Sequence, residues 1–216
     1  MDELNDQLRK LRTDYSLATL DENMLAKDPF TQFGKWFREA LDAKVMEANA
    51  MTLATSNEKN QPSARIVLLR DFSENGFSFF TNYNSSKGHE MNLNPHVCVN
   101  FFWPELQRQV RIDGTVKKLS IKESDEYFNS RPAESRIGAW SSPQSEVIAS
   151  RAWLDEQFEL NKKKFDGKEI VRPEWWGGYI IEPTSVEFWQ GRSSRLHDRI
   201  EFRKENGSWT KVRLAP

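Results

Sequence analysis

The 216-residue sequence contains one cysteine, no long apolar run and almost no net charge. The single Cys98 excludes an internal disulfide, and its apolar neighbours Val97 and Val99 predict a buried, inert thiol. No apolar stretch approaches the roughly 18 residues that a membrane-spanning helix needs. Lys and Arg number 31 and Asp and Glu 32, so no overall field attracts nucleic acid or a membrane surface. Met1-Asp2-Glu3 is acidic, unlike a signal peptide, and we therefore expect a cytoplasmic protein.

Several catalytic and nucleotide-binding motifs are also missing. The sequence has no Walker loop, no G-x-G-x-x-G motif and no G-x-S-x-G elbow. His89, His96 and His197 lack the spacing of a zinc site, so we expect no metal. Without a glycine-rich loop, a bound phosphate must be held by side chains and helix N-termini.

The hydrophobic pattern predicts a mainly β protein with helices, in the α+β class. Strands are predicted at 51–55, 64–69, 77–81, 96–103, 107–119 and in three segments of 178–214, and helices at 4–15, 29–45, 87–93, 121–129, 132–140 and 145–165. The run 64–69 is continuously apolar, which predicts a strand buried on both faces. Six or seven mostly antiparallel strands flanked by helices indicate a β-barrel, and we expect residues 1–216 to form a single domain.

Two adjacent C-terminal motifs indicate a pocket for a flat anionic molecule. Glu187–Gly191 and Arg195–Arg199 combine an indole, arginine forks for a phosphate, and the imidazole of His197, which can give or take a proton. The alternative is a hairpin that turns at Gly191 and continues as an exposed, charged strand.

A phosphate site is predicted where Ser85 and Ser86 begin a helix that also carries Lys87. Free backbone N–H groups and the helix dipole favour an anion there. Arg65 enters an apolar strand and is the expected partner, because a cation in a buried run usually meets an anion. Ordinary capping by a serine is the alternative.

A second phosphate site is predicted at a helix–helix junction. Tyr127, Arg131 and Ser135 are spaced four residues apart, and Pro132 prevents one continuous helix through them. A solvated junction with a surface arginine is the alternative. Two phosphate sites with aromatic walls indicate two flat, phosphorylated ligands.

These features belong to a series of motifs that runs from Leu11 to the last residue. The series consists of Leu11–Tyr15, Arg65–Leu69, Phe79–Asn82, Arg108–Val110, Tyr127–Pro132, Ser135–Trp140, Gln144–Ser145, Trp175–Gly178, Glu187–Gly191, Arg195–Arg199 and Arg213–Pro216. In this order it resembles the pyridoxine/pyridoxamine 5′-phosphate oxidases, a family of FMN-binding split β-barrels. The R-L-H-D-R motif after F-W-Q-G is highly specific.

The resemblance implies two sets of binding residues. It assigns FMN to Arg65, Ile66, Val67, Leu68, Arg70, Phe80, Thr81, Ser86, Lys87, Gln109, Gln144, Ser145, Trp189 and Arg199. It assigns the substrate to Arg12, Tyr15, Arg70, Tyr127, Arg131, Ser135, Arg195, Leu196 and His197, with Arg12 and Tyr15 on an N-terminal helical arm of about residues 1–20. Arg195 and His197 are the expected catalytic residues, which orient and polarise C4′ of the substrate.

Three positions depart from the family pattern. Arg70 stands where the family usually has lysine, which keeps the charge but changes reach and geometry. Ser86 stands where arginine is common, so Arg65 and Lys87 must carry more of the FMN phosphate. Phe80 stands where tyrosine also occurs.

The resemblance also implies a reaction: FMN-dependent oxidation of pyridoxamine or pyridoxine 5′-phosphate by O2 to pyridoxal 5′-phosphate, with release of peroxide, and of ammonia from the amine. This step belongs to vitamin B6 biosynthesis and salvage, and the family implies a homodimer with FMN between subunits. Two alternatives stay open. One is a non-catalytic FMN-binding module, and the other is a related flavin oxidoreductase for another phosphorylated substrate.

Overall fold

The computed structural model describes residues 2–216, which contain six α-helices and nine strands. The helices are α1 (Asp2–Lys10), α2 (Pro29–Asp42), α3 (Ser86–Leu93), α4 (Ile121–Ser130), α5 (Ala133–Ser141) and α6 (Arg151–Lys164). The strands are β1 (Ala50–Ser56), β2 (Pro62–Leu68), β3 (Asp71–Ser73), β4 (Gly76–Asn82), β5 (His96–Trp103), β6 (Arg108–Lys118), β7 (Trp176–Gln190), β8 (Asp198–Glu205) and β9 (Ser208–Leu214). None of the helices in this part of the chain is long and apolar enough to cross a membrane.

The chain divides into two compact units, each assembled from separate segments. The first unit comprises Met1–Ala48, Phe101–Arg111 and Ser185–Pro216, and the second comprises Asn49–Asn100 and Ile112–Thr184. Strands β5, β6 and β7 contribute residues to both. The expected single domain with an N-terminal arm stays a prediction.

The second unit contains a sheet in the order β2-β1-β5-β6-β7-β4-β3. β1 and β2 are antiparallel, with Leu53 opposite Arg65. The prediction that this second strand is buried on both faces is wrong, because β2 lies at the edge of the sheet and Ile66 is 62% exposed. The apolar side chain of Ile66 on this edge strand is therefore not covered by the core of the second unit.

The predicted hairpin at Asn75-Gly76 is confirmed and joins β3 to β4. Gly76 has φ of 141°, and a Cβ at this position would come within 2.1 Å of the Ile181 carbonyl oxygen on β7. Only glycine therefore allows β4 to start so close to its neighbour. This turn sets the register that places Phe80 opposite Gly178.

The first unit has its core between α2 and the ends of the strands. Asp28 caps α2 by accepting hydrogen bonds from the backbone of Phe30 and Thr31, as the Asp28-Pro29 pair predicted. Phe33 packs on Phe101, with ring centroids 5.2 Å apart. The antiparallel strands β7, β8 and β9 complete this unit.

Several predicted boundaries shift in the structure. The helix predicted to extend to Val45 ends at Asp42, and Leu41 on its expected apolar stripe is 56% exposed. The first helix ends at Lys10, so Tyr15 lies beyond it. Cys98 is half-buried rather than buried.

The largest correction concerns the helix predicted from residue 145. α6 begins at Arg151, because the Ser150 hydroxyl accepts a hydrogen bond from the Trp153 backbone N–H and starts the helix there. Ser145 instead has a left-handed backbone with φ of 76°. Gln144 and Ser145 therefore lie in a loop between α5 and α6.

Candidate functional site

A cleft of about 280 Å³ in the second unit is lined by ten of the residues assigned to FMN or substrate. These residues are Ile66, Val67, Leu68, Arg70, Phe80, Thr81, Lys87, Tyr127, Arg131 and Gln144, and Asn82 and Trp176 complete the lining. The fold thus brings together side chains from β2, β4, α3, the end of α4 and the loop after α5. Which ligand each of them contacts stays a prediction.

Arg131 brings a partly buried guanidinium to this cleft. It follows α4 with an extended backbone, the conformation favoured before a proline. Its guanidinium lies 4.5 Å from the centre of the Trp176 ring, and its buried Nη1 has no hydrogen-bond partner among the described residues. Burial is the main cause that lowers the pKa of Arg131; the nearby Tyr127 opposes this shift and Arg70 adds to it. A buried guanidinium nitrogen without a hydrogen-bond partner is suited to bind an anion.

An aromatic stack forms one wall of the same cleft. The Phe80 and Tyr127 rings are stacked with centroids 3.8 Å apart, and Trp176 lies 5.7 Å from Phe80 at an angle of 17°. The Arg70 guanidinium is 5.9 Å from the centre of the Tyr127 ring. Nearly parallel rings with guanidinium groups over Tyr127 and Trp176 suit a planar, anionic ligand.

Lys87 brings a buried ammonium to the N-terminal turn of α3. Its Nζ donates to the hydroxyls of Thr81 and Ser85, each at 3.1 Å, and Ser85 also caps the helix. Burial, followed by the positive charge of Arg65, lowers the pKa of Lys87 to about 8. Thr81 also donates to the Gln144 side chain at 3.3 Å. These hydroxyls hold the ammonium in place and give Lys87 an internal set of partners, and the anion site at the start of α3 stays a prediction.

Arg65 has an anion of its own, in agreement with the rule for a cation in an apolar strand. It pairs with Glu90 of α3 at 3.1 Å and also donates to the hydroxyls of Ser63 and Thr55. Burial by itself raises the pKa of Glu90, but hydrogen bonds from Thr55, Ser63 and Arg65 together lower it. Glu90 therefore stays ionised and holds the guanidinium in place.

Three serines assigned by resemblance lie at the margins. Ser135 lines a neighbouring cleft of about 330 Å³ that shares Arg131 and Gln144 with the first. Ser86 and Ser145 are both exposed and do not line either of these two clefts.

A cleft of about 670 Å³ in the first unit collects the residues predicted for the N-terminal arm and the reacting centre. It is lined by Leu11, Arg12, Thr13, Asp14, Tyr15, Arg192, Ser194, Arg195 and His197. Arg195 is exposed and has a left-handed backbone, with φ of 61°, which is uncommon for a residue with a side chain. Leu196 is 69% exposed. Strain of this kind is often found in loops that present a functional side chain.

Tyr15 anchors the arm to this cleft. A Cβ on Gly191 would lie 2.8 Å from the Tyr15 ring, so the ring packs directly on the glycine backbone. Tyr15 also meets Trp189 edge to face at 5.8 Å and the His197 ring at 6.0 Å. The arm segment around Tyr15 therefore forms part of the wall beside the imidazole.

Arg199 is held by a buried carboxylate. Glu187 is 2% exposed and accepts from Nε and Nη2 of Arg199, at 2.7 and 3.1 Å, and from Arg111 at 3.0 Å. The third nitrogen of Arg199 donates to the Ala215 carbonyl oxygen. Most of the hydrogen-bonding capacity of Arg199 is thus used inside the first unit. Gln109, which is also assigned to FMN, lies half-buried in the same unit. An FMN contact by Arg199 would have to use its remaining N–H bonds.

Sequence reasoning missed three residues that support the site. Glu90 and Glu187 hold the predicted arginines, and Trp176 lies under Arg131. Glu187 belongs to the predicted motif Glu187–Gly191 and Glu90 belongs to none, but neither pairing with an arginine has a local signal, because the partners meet only when the chain has folded. Trp176 was visible as part of an aromatic motif, but its partner was not.

Two family models cover most of the chain. Residues 37–160 match the model described as pyridoxamine 5′-phosphate oxidase. The chain belongs to the pyridoxamine 5′-phosphate oxidase family. Residues 176–216 match a second model, described as the pyridoxine 5′-phosphate oxidase C-terminal dimerisation region.

Curated relatives share about half of the sequence over nearly its whole length. The chain is 55% identical over 207 residues to a pyridoxine/pyridoxamine 5′-phosphate oxidase of Trichormus variabilis, covering 95% of this chain and 97% of the relative. It is 49% identical over 214 residues to the enzyme of the same name from Leptospira interrogans, covering 99% and 100%. The resemblance derived from the motifs is therefore confirmed.

Solved structures confirm the fold class. PhzG from Burkholderia lata 383, in complex with tetrahydrophenazine-1-carboxylic acid, superposes with a TM-score of 0.88 at 25% identity, over 94% of this chain and 100% of that one. A pyridoxamine 5′-phosphate oxidase-related, FMN-binding protein from Nostoc punctiforme PCC 73102 shares the fold, with a TM-score of 0.69 at 16% identity over 89% of this chain and 100% of that one. The antiparallel split-barrel class with flanking helices is thus the class of this chain.

Proposed function

We propose that this protein oxidises pyridoxamine 5′-phosphate and pyridoxine 5′-phosphate with O2 to pyridoxal 5′-phosphate, releasing peroxide and, from the amine, ammonia. The relatives at 49–55% identity carry the name of this activity. Within the molecule, the proposal rests above all on Arg131, whose buried Nη1 lacks a partner beside a stack of flat rings. A phosphate on a planar ring supplies both the missing acceptor and the stacking surface.

FMN is the proposed cofactor, and the second unit fits it. Lys87 lies in the first turn of α3, with Arg65 of β2 near enough to lower its pKa, and one phosphate can be received there by an ammonium and the backbone N–H groups of the helix start. A pyrophosphate would require a second anion site of the glycine-rich kind, and the sequence has no such loop. A bound FMN would supply a hydride acceptor that O2 can reoxidise. Denaturing the purified protein and identifying the released flavin tests this choice; stoichiometric FAD would contradict it.

The protein's own residues are proposed to bind and orient the substrate. Arg131, Tyr127 and Ser135 hold the substrate phosphate, while Arg195 and His197 orient C4′. Holding the reacting carbon in one geometry lowers the barrier by removing the entropy of alignment, without a covalent bond to the protein. Arg12 and Tyr15 cover the cleft that also contains Arg195 and His197, and they restrict the access of water to it.

We further propose a cytoplasmic homodimer with FMN between its subunits. The match of residues 176–216 to a dimerisation region supports this arrangement. The exposed apolar Ile66 on the edge strand β2, beside residues assigned to FMN, also supports it. Native mass spectrometry of the flavin-loaded protein should give the mass of two chains and two FMN. A monomer that keeps its flavin would overturn this arrangement.

A direct assay separates this function from its alternatives. Purified protein should be yellow and should convert pyridoxamine 5′-phosphate into an aldehyde that absorbs as pyridoxal 5′-phosphate, with peroxide formed in equal amount. Unphosphorylated pyridoxamine is the control, and it should react far more slowly because Arg131 lacks its anion. A yellow protein with no turnover would indicate a flavin-binding module. Equal turnover of the phosphorylated and the unphosphorylated amine would indicate a different substrate, as the similarity to PhzG allows.

A further inference from the structure

One ring nitrogen of His197 is occupied by the protein backbone. The Arg192 backbone N–H donates to His197 Nδ1 at 3.0 Å. Because a backbone N–H only donates, Nδ1 must be the acceptor and carries no proton. In a neutral imidazole, the single proton then sits on Nε2. This tautomer leaves a hydrogen-bond donor for the cleft that His197 lines.

The surroundings of the ring favour the neutral form. Trp189 packs on the imidazole with centroids 4.6 Å apart, and Tyr15 lies at 6.0 Å. Burial, followed by the positive charge of Arg195, lowers the pKa of His197. The other charged and titratable side chains that line this cleft are those of Arg12, Asp14, Tyr15, Arg192 and Arg195, and the carboxylate of the adjacent Asp198 is paired with Arg192 and Arg213. The positive charge of Arg195 disfavours a second proton on the imidazole.

Asp198 anchors Arg192, the residue whose backbone N–H donates to His197. Its Oδ2 accepts from Arg192 Nη1 at 2.8 Å and from the Leu20 backbone N–H at 3.0 Å, while Oδ1 accepts from Arg213 at 2.9 Å. Burial by itself raises the pKa of Asp198, but the hydrogen bonds from Leu20, Arg192 and Arg213 lower it. The carboxylate is therefore ionised and connects the arm, β9 and the loop before β8.

That loop needs such an anchor. Between Gly191 and His197 it contains two consecutive residues with left-handed backbone, Ser194 with φ of 56° and Arg195 with φ of 61°. Conformations of this kind persist only where surrounding contacts hold them. The ion pair from Arg192 to Asp198 fixes the start of the loop at the residue whose N–H meets the imidazole.

We propose that Asp198 is a positioning residue that, by anchoring Arg192, keeps His197 in the Nε2–H tautomer and presents Nε2 as a hydrogen-bond donor. In this state His197 donates to an acceptor oxygen on the substrate and does not take a proton from it. The consequence for the reaction rests on the proposed function, whereas the tautomer and its dependence on Asp198 do not.

Nitrogen NMR of the imidazoles tests the tautomer directly. The chain has three histidines, so ¹⁵N-histidine labelling of the flavin-loaded protein as purified gives few signals, and loss of one set in His197→Asn assigns residue 197. We expect Nε2 to be protonated and Nδ1 to be unprotonated. A proton on Nδ1, or an imidazolium at neutral pH, would overturn the proposal.

The Asp198→Asn variant tests the positioning role. It removes the charge that holds Arg192, and we expect the His197 signals to move towards a mixture of the two tautomers. Asp155→Asn is the matched control, because Asp155 forms an exposed ion pair with Arg151 on α6. An Asp198→Asn spectrum that keeps wild-type His197 signals, whatever its melting temperature, would show that Asp198 is merely structural.

A second variant makes the result independent of the folding of the first. Arg192→Leu keeps the backbone N–H but loses its anchor on Asp198, so we expect the same change in the His197 signals. The two substitutions combined should add nothing further, because both break one connection. Additive effects, or no change in Arg192→Leu, would contradict a route through Arg192.

The reaction supplies the final comparison. In Asp198→Asn we expect kcat for pyridoxamine 5′-phosphate to fall by roughly 10- to 100-fold with flavin content kept, since misorientation by an ångström has effects of this size. Absence of oxidase activity in the wild type, with the Nε2–H tautomer present, would refute the proposed function alone. Wild-type activity with a proton on Nδ1 would refute the positioning inference alone.

Discussion

The buried guanidinium of Arg131 allows the sharpest prediction about the substrate. Its Nη1 is buried without a partner among the described residues, and its guanidinium carbon lies over the Trp176 ring. A charge-assisted hydrogen bond to a phosphate contributes about 1.5–3 kcal/mol. Since about 1.4 kcal/mol is a tenfold change in an equilibrium constant, Arg131→Ala should raise KM for pyridoxamine 5′-phosphate by roughly 10- to 100-fold. Flavin content should stay nearly unchanged.

Companion variants separate the charge from the packing. Arg131→Met keeps an apolar stem against Trp176 but removes the guanidinium, and it should raise KM about as much as alanine. Arg131→Lys keeps the charge and loses the planar fork, so its KM should lie between those of the wild type and Arg131→Met. Arg151→Met is the control, because this arginine is exposed on α6 and pairs only with Asp155 among the described ion pairs.

The assay is steady-state oxidation with the phosphorylated and the unphosphorylated amine, together with the flavin-to-protein ratio. The increase in KM should appear only with the phosphorylated amine, because the unphosphorylated one has no anion for Arg131 to bind. Loss of flavin with KM unchanged would refute the reasoning, and it would mean that Arg131 serves the cofactor phosphate instead.

Three further outcomes are expected. The pKa of Lys87 is lowered to about 8 in the protein without ligand, and only the protonated amine attracts a phosphate, so the affinity of flavin-free protein for FMN should fall as pH rises through about 8. Lys87→Arg should remove this pH dependence, and fluorescence titration with FMN measures the affinity of the wild type and of the variant. Gly191→Ala places a methyl group 2.8 Å from the ring of Tyr15, so the arm should detach and trypsin should cut faster after Arg12, which gel analysis would detect; an unchanged cleavage rate would contradict the packing. Arg195→Leu keeps much of the apolar stem and should slow anaerobic flavin reduction by roughly tenfold or more with flavin bound, whereas a wild-type rate in stopped-flow would remove Arg195 from the reacting centre.

Local signals predicted most elements correctly because each carries its own physical cause. Asp28-Pro29 starts α2, and Asn75-Gly76 turns β3 into β4, since capping and turn geometry depend on neighbouring residues only. The failures have the same explanation in reverse. The apolar run in β2 was placed in the interior because it is continuous, but strand order puts it at an edge. The predicted helix began too early, at residue 145, because the apolar pattern does not show that the N-cap is Ser150.

The sequence by itself determined the family, because the order and spacing of motifs such as F-W-Q-G and R-L-H-D-R carry that information without any fold. It also identified most of the residues that line the two clefts. Tertiary structure alone decided their partners: Glu90 for Arg65, Trp176 for Arg131, and Asp198 for Arg192. A motif can indicate that a cation or an imidazole is needed. Which group pairs with it, which proton it keeps and how deeply it is buried depend on segments that meet only when the chain has folded.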